Sequence, residues 1–240
     1  MAIWEILDGE TPIDISHVKV KGVGSRRQLN EFEAANILSA VTRYLSGRPT
    51  RRMAPFTLRW VKRLHREMFG DVWTWAGKFR REDLNSGITW YQIETSLENL
   101  LEDLKEWTGS GLDIVEQAAM LHHSAVQIHP FPNGNGRWAR MLANILLKQN
   151  GHSPIQWPED LIGSESAIRS EYLDAIRAAD QGDSEPLVSL HRRYVPALPP
   201  PLVVRPQRRP PTRGKVHRPQ MPPSPPDDSG ETKSSGTETS

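Results

Sequence analysis

The chain has 240 residues, 37% hydrophobic and 25% charged, with 20 Pro and no Cys. Zero Cys excludes a disulfide scaffold, a thiolate metal site and a cysteine nucleophile, and no run of 18 apolar residues offers a membrane-spanning helix. A net charge of +1 argues against a dedicated nucleic-acid binder. The acidic start MAIWEILDGE lacks the basic region of a secretory leader, so a cytoplasmic protein is expected.

The small net charge hides an asymmetry. Beyond Val195 seven basic residues stand against four acidic ones (+3), leaving 23 basic against 25 acidic (−2) in the rest. That terminal stretch also carries 12 of the 20 Pro. Three parts follow: an irregular segment over 1–29, a helical domain over 30–195 and a Pro-rich tail over 196–240, which is expected to be disordered because it cannot bury enough apolar surface to offset ordering entropy.

Residues 1–24 read as partly extended. Asn30 with Glu33 resembles a capping box, and Phe32, Ile37, Val41, Tyr44 and Leu45 follow at roughly helical spacing up to Gly47. Thr57 can cap a second helix with Trp60, Val61, Leu64, Met68 and Phe69 on one side, ending at Gly70. DVWTWAGKFRREDLNSGITWYQ has no helical period, and Phe79 to Tyr91 reads as a short hairpin or flap around Asn85-Ser86-Gly87. Leu97, Leu100, Leu101 and Leu104 predict an amphipathic helix. Asp113 with Glu116 opens the next, with Val115, Ala119, His122 and Val126 at three- and four-residue steps. After a Pro- and Gly-rich break, Trp138, Met141, Leu142, Ile145 and Leu146 predict a helix ended by Asn150-Gly151. Ser164 and Ser184 start two more. The expected fold class is all-α with one short β element.

The break, HPFPNGNGRWAR from His129 to Arg140, carries the chemistry. Two glycines flank Asn135 just before a helix, so successive backbone N–H groups can converge on an anion with the helix N-terminus behind them. Arg137 and Arg140 share a helix face, which Asn144 and Lys148 extend. Two cations at the positive end of a helix are unfavourable by roughly 0.3–1 kcal/mol each. A polyphosphate would neutralise both, and the planar guanidinium suits its oxygens. His129, at the other end of the loop, is a candidate general base for a hydroxyl nucleophile. Spacing does not support a metal cluster of His122, His123 and His129. Trp73 and Trp75 are expected to close the core below the flap, and Trp90 to stay available on it.

HPFPNGNGRWAR resembles the signature of the Fic (Fido) family, H-x-F-x-[D/E]-G-N-G-R-x-x-R, with Asn133 as the one departure. The likeness extends over roughly residues 30–195, and DVWTWAGKFR resembles the family's lead-in to its flap. The Asn variant also resembles the Fic proteins called mobile mystery protein B. The resemblance implies an all-α fold and transfer of AMP from ATP to a Ser, Thr or Tyr hydroxyl of a protein target. It implies that His129 is the base, that Gly134, Asn135 and Gly136 hold the α-phosphate, and that Arg137 and Arg140 bind the outer phosphates. It implies that the flap residues Ile88, Thr89, Trp90 and Tyr91 align the target by strand addition. In the family the acid at the Asn133 position binds Mg²⁺; an Asn oxygen brings no charge, so Asn133 is expected to be a weak metal ligand and metal dependence to be reduced. Transfer of UMP, phosphate or another phosphate-linked group stays open, as does a repressed nucleotide-binding module with an antitoxin or other inhibitory partner. The family's inhibitory pattern, [S/T]-x-x-x-E-[G/N], is not met by NEFEAAN at 30–36, so Glu31 and Glu33 are expected to serve the helix end.

Overall fold

The fold is arranged around one buried helix. In a computed structural model that describes residues 14–196, helix α5 (Asn135–Gln149) has 11 of its 15 residues buried, including Trp138, Leu142, Ile145 and Leu147. Helices α1 (Arg26–Leu45), α2 (Leu58–Phe69), α3 (Ile93–Trp107) and α4 (Ile114–Ile128) pack with it to form the main core. A second apolar cluster joins α4 to α6 (Glu159–Ile162), α7 (Ala167–Asp180) and α8 (Glu185–Tyr194) through Ala119, Ile162, Tyr172, Ile176, Leu187 and Leu190. The domain is thus helical, as expected, and α4 belongs to both clusters. The Pro-rich tail lies outside the described residues.

Local chemistry explains most helix ends. Thr57 accepts a hydrogen bond from the Trp60 N–H at 3.3 Å, and Gly70 closes α2 on the Arg66 carbonyl at 2.7 Å. Helix α1 begins four residues before the expected Asn30 box. Ser25 accepts from the Gln28 N–H at 3.2 Å, and the Gln28 side chain accepts from the Gly24 N–H at 2.9 Å. This earlier S-x-x-Q pattern satisfies the orphan donors first, and the helix runs through Asn30.

The buried stripe of α1 also differs from the expected one. Leu29, Glu33, Asn36, Ala40 and Tyr44 face the core, whereas Phe32 is 45% exposed. Two polar side chains are tolerated inside because each has partners. Asn36 donates to Asp71 at 2.7 Å and accepts from the Asp71 N–H at 2.9 Å. Glu33 accepts from the Trp73 indole N–H at 2.5 Å.

The expected β-hairpin is not formed. Among the described residues there is no strand, and a single antiparallel bridge joins Val18 to Trp73. Over 79–89 the chain is irregular and ends in a 3₁₀ turn, Trp90–Gln92. The physical reason is Arg80. Its guanidinium, buried at 3% exposure, donates to the Glu82 carbonyl at 2.8 Å and to the Ile88 carbonyl, so one side chain does the work of a strand ladder.

No helix among the described residues is long and apolar enough to cross a membrane. Leu142 is 1% exposed and Leu38 63% exposed, so the two distinguish core from surface. Leu142→Ala is expected to cost about 2–5 kcal/mol by urea unfolding, and Leu38→Ala less than about 0.5 kcal/mol. Equal effects would contradict the placement of α5 at the centre.

Candidate active site

The loop from His129 to Gly134 is shaped by two side chains of its own. Phe131 is fully buried, stacked on His65 at 3.6 Å between ring centroids and edge-on to Trp138 at 5.0 Å. Asn135, 2% exposed, accepts from the Phe131 N–H at 2.9 Å and donates to the Phe131 carbonyl at 2.8 Å. This reciprocal pair closes a small ring of chain. The Asn135 side chain is thereby committed to the loop, leaving its backbone N–H at the head of the helix.

Gly134 caps α5 with φ 78°, and no side chain caps the helix. A Cβ there would meet the Phe69 ring at 2.7 Å, so the position needs Gly for conformation and for space. The Trp138 N–H closes on the Gly134 carbonyl at 3.0 Å. The N–H groups of Asn135, Gly136 and Arg137 therefore head the helix, where geometry gives them no intrahelical acceptor.

His129 ends α4 in the left-handed conformation, φ 50° and ψ 59°. A non-Gly residue there carries about 1–3 kcal/mol of strain. Arg80 holds it: Nε donates to the His129 carbonyl at 2.8 Å, and the Arg80 N–H donates to the Pro130 carbonyl at 3.0 Å. Gly87, φ 94°, lies over the same point, since a Cβ on it would stand 2.5 Å from His129 Cβ. Burial, and then the Arg80 charge, push the His129 imidazole down to about 4, with hydrogen bonding to the Val126 carbonyl working the other way. The ring is neutral at pH 7, as a base must be.

Both motif arginines face carboxylates. Arg137 donates to Glu33 Oε2 at 2.5 Å. Glu33 is mid-helix and 4% exposed, so it does not serve a helix end as expected. Arg140 donates through Nε to Glu159 Oε1 at 2.8 Å and through Nη2 to Oε2. At 5% exposure Arg140 is buried, and Asn144 is buried with it at 8%, bonded to the Ile155 backbone. The polar face of α5 is therefore internal at these two positions. Burial is the largest influence and works against the Arg140 charge, but the Glu159 carboxylate and the Tyr172 oxygen together outweigh it, so the guanidinium stays protonated with its pKa raised.

The Asn133 side chain is engaged within the loop itself. Its side-chain oxygen accepts from the Gly134 N–H at 2.6 Å, and no group of three or more His, Asp or Glu able to hold a metal occurs among the described residues. Its backbone is anchored by His65, whose Nε2 donates to the Asn133 carbonyl at 3.1 Å while Nδ1 accepts from the Gly77 N–H at 3.0 Å. Burial pushes His65 down to about 3, which keeps it in this neutral tautomer. Among the described residues His122 and His123 join no group of three metal-binding side chains. His122 contacts His191 and Tyr172, and His123 contacts Asp180 at 2.8 Å.

The flap is only partly available. The Ile88 carbonyl is taken by Arg80, and the Trp90 N–H donates to Asp83 at 2.8 Å. The side chains of Trp90 (43% exposed) and Tyr91 (67%) remain outward and line a groove of about 940 Å³ with Lys62, Arg66, Phe79 and Asn133. Trp73 is buried and stacked on Trp75 at 4.8 Å, as expected. Arg80, His65, Glu159 and Tyr172 are the site residues that the sequence reading missed. Only the nearness of Arg80 to the flap offered a signal.

The site thus joins an open, Gly-capped helix start to a neutral His on the preceding turn of a helical domain. Residues 55–147 match the Fic/DOC family, and this stretch of the chain belongs to it. The chain is 31% identical over 167 residues to a protein adenylyltransferase Fic of Aedes aegypti, covering 68% of this chain and 32% of that one. It is 34% identical over 137 residues to the Drosophila mojavensis protein of the same name, covering 55% and 26%. The chain thus spans about a quarter to a third of the length of these relatives. Among solved structures, Fic-1 (residues 134–508) of C. elegans superposes with a TM-score of 0.61 at 23% identity, over 73% of this chain and 51% of that one. The N-terminal Fic domain of a Bartonella quintana effector with bound ADP gives 0.53 at 22%, over 72% and 87%. At these identities the structures show a shared fold.

The depressed His129 pKa has a stability consequence. Above about 6.5 both folded and unfolded chains hold a neutral ring. Below it the unfolded chain takes the proton first, so stability falls as pH drops through the window from 6.5 toward about 4. An NMR titration is expected to place the His129 midpoint near 4; a midpoint at or above 6.5 would contradict the buried setting.

Proposed function

We propose that this chain is a protein nucleotidyltransferase that moves AMP from ATP to a Ser, Thr or Tyr hydroxyl of a target protein. The observation that carries the reading is one loop holding a neutral His129 and an open helix N-terminus with two arginines behind it. The name of the Aedes and Drosophila relatives, protein adenylyltransferase Fic, supports it, as does the ADP in the Bartonella quintana structure.

In this reading the N–H groups of Asn135 and Gly136 orient the α-phosphate, and fixed donors aimed at developing charge are among the largest contributions to catalysis. Arg137 and Arg140 meet the outer phosphates. His129 takes the hydroxyl proton as the target oxygen bonds to the α-phosphorus, and the bond from that phosphorus to the leaving pyrophosphate breaks. Since Ile88 and Trp90 have main-chain groups already engaged, the exposed Trp90 and Tyr91 side chains carry target contact more than strand addition does.

The test is transfer of labelled AMP to proteins of a lysate. His129→Ala is expected to reduce label by about 10²–10⁴-fold. Equal labelling by the variant, or no labelling by the wild type with any of ATP, UTP, CTP and GTP, would sink the reading.

A second reading is favoured by the Arg137–Glu33 pair: the chain is held in a repressed state in which a carboxylate occupies the place of phosphate. Glu33→Gln removes that charge and keeps the shape. It is expected to tighten ATP binding about tenfold by calorimetry. Unchanged or weaker binding would show that Glu33 is structural only.

A further inference from the structure

Outside the motif, a line of buried hydrogen bonds ends on Arg140. His191 on α8 and His122 on α4 are both fully buried. His191 Nδ1 lies 2.8 Å from the Leu187 carbonyl, which can only accept, so Nδ1 carries the proton. In a neutral ring Nε2 is then an acceptor, and His122 Nδ1 donates to it at 3.2 Å. His122 Nε2 is left as the next acceptor, and the Tyr172 hydroxyl donates to it at 3.0 Å. With that proton committed, the Tyr172 oxygen presents a lone pair to Arg140, whose Nη1 donates at 3.3 Å. One fixed point at the Leu187 carbonyl thus sets the direction of every bond up to the guanidinium.

Burial keeps the line intact. It pushes His191 down to about 4, and it lowers His122 well below the usual range, with His191 and Arg140 reinforcing the effect. A cationic ring would place two donors face to face. The Trp157 ring closes over His122, His191 and Tyr172 at 5.0–6.0 Å between centroids.

At Arg140, Glu159 takes the Nε and Nη2 edge and Tyr172 takes Nη1, so a single orientation satisfies both. That orientation lies beneath the start of α5: a Cβ on Gly136 would stand 3.4 Å from Nη1 and 3.9 Å from the Tyr172 oxygen. Apolar side chains would fill the same space without polar groups to desolvate, so a fully paired line points to placement of a group and not to filling.

We propose that His191, His122 and Tyr172 are positioning residues that aim the Arg140 guanidinium at the outer phosphates of the nucleotide, so that α4, α7 and α8 set its affinity for the triphosphate. The inference rests on the nucleotidyltransferase reading above. None of the three touches the reacting atoms.

The experiment is calorimetric titration of ATP and of AMP into the full chain and four variants, each checked by thermal melting. Tyr172→Phe and His191→Leu are expected to weaken ATP about fivefold and AMP less than about twofold, a selectivity that loosened packing would not produce. His191→Gln, whose side-chain oxygen can accept from His122, is expected to restore ATP binding. Arg140→Gln separates the two levels. If it weakens ATP while Tyr172→Phe and His191→Leu do not, or if those two weaken ATP and AMP alike, the positioning role is wrong. If the wild type binds no ATP, or Arg140→Gln binds it as the wild type does, the functional reading fails and the inference with it. Should Tyr172→Phe not fold, the His191→Leu and His191→Gln pair decides.

Discussion

The site depends on one reciprocal pair: Asn135 bonded through both ends of its amide to the backbone of Phe131. That ring of chain forces the loop to turn sharply between two buried helices. It places Gly134 against Phe69, opens α5 without a side-chain cap, and fixes the spacing between the helix start and His129. Phe131 is the weight that keeps the ring down, pressed between His65, Trp138 and Phe79. His65 in turn ties the Asn133 carbonyl, so the cradle is held from inside the core as well as along the chain.

Charge placement follows from this geometry. Arg137 and Arg140 stand in the first turns of α5, where the helix dipole disfavours cations. Sequence alone makes that look like a demand for phosphate. The protein meets part of the demand itself, with Glu33 reaching in from α1, 104 residues away, and Glu159 from α6, 19 residues on. Each arginine is therefore already oriented, and Arg140 has a second anchor in Tyr172. The functional case consequently rests less on misplaced charge than on the open N–H groups and the neutral His129. Arg80 plays the matching part on the other side, joining the flap carbonyls to the His129 carbonyl and stabilising its left-handed turn.

What was legible in the sequence was what local pattern encodes. The leucine stripe at 97–104, the Thr57 cap, the Gly70 stop and the break at 129–136 each act within a turn or two, and each marks a helix or its end correctly. The four-residue α6 has no period to detect. The start of α1 was ambiguous because S-x-x-Q at 25–28 and N-x-x-E at 30–33 offer the same chemistry, and the upstream box formed. Glu33 and Asn36 look like surface residues in any window; only their partners Arg137, Trp73 and Asp71, distant in the chain, make them core. The hairpin failed for the same reason. Turn residues and β-branched positions predict a ladder, and a single buried Arg80 supplies the bonds instead. The candidate site was thus legible as a motif, while the residues that hold it in shape were not.

We propose that the start of α5 is a nucleotide-phosphate cradle built by the Asn135 clamp. Backbone amide NMR during titration with ATP tests it most directly. The account predicts that the largest shifts fall on the amides of Gly134, Asn135, Gly136 and Arg137, and that Asn135→Ala, folded by its far-ultraviolet spectrum, abolishes them. Shifts confined to the Lys62, Arg66 and Trp90 groove, with residues 134–137 unmoved, would contradict it.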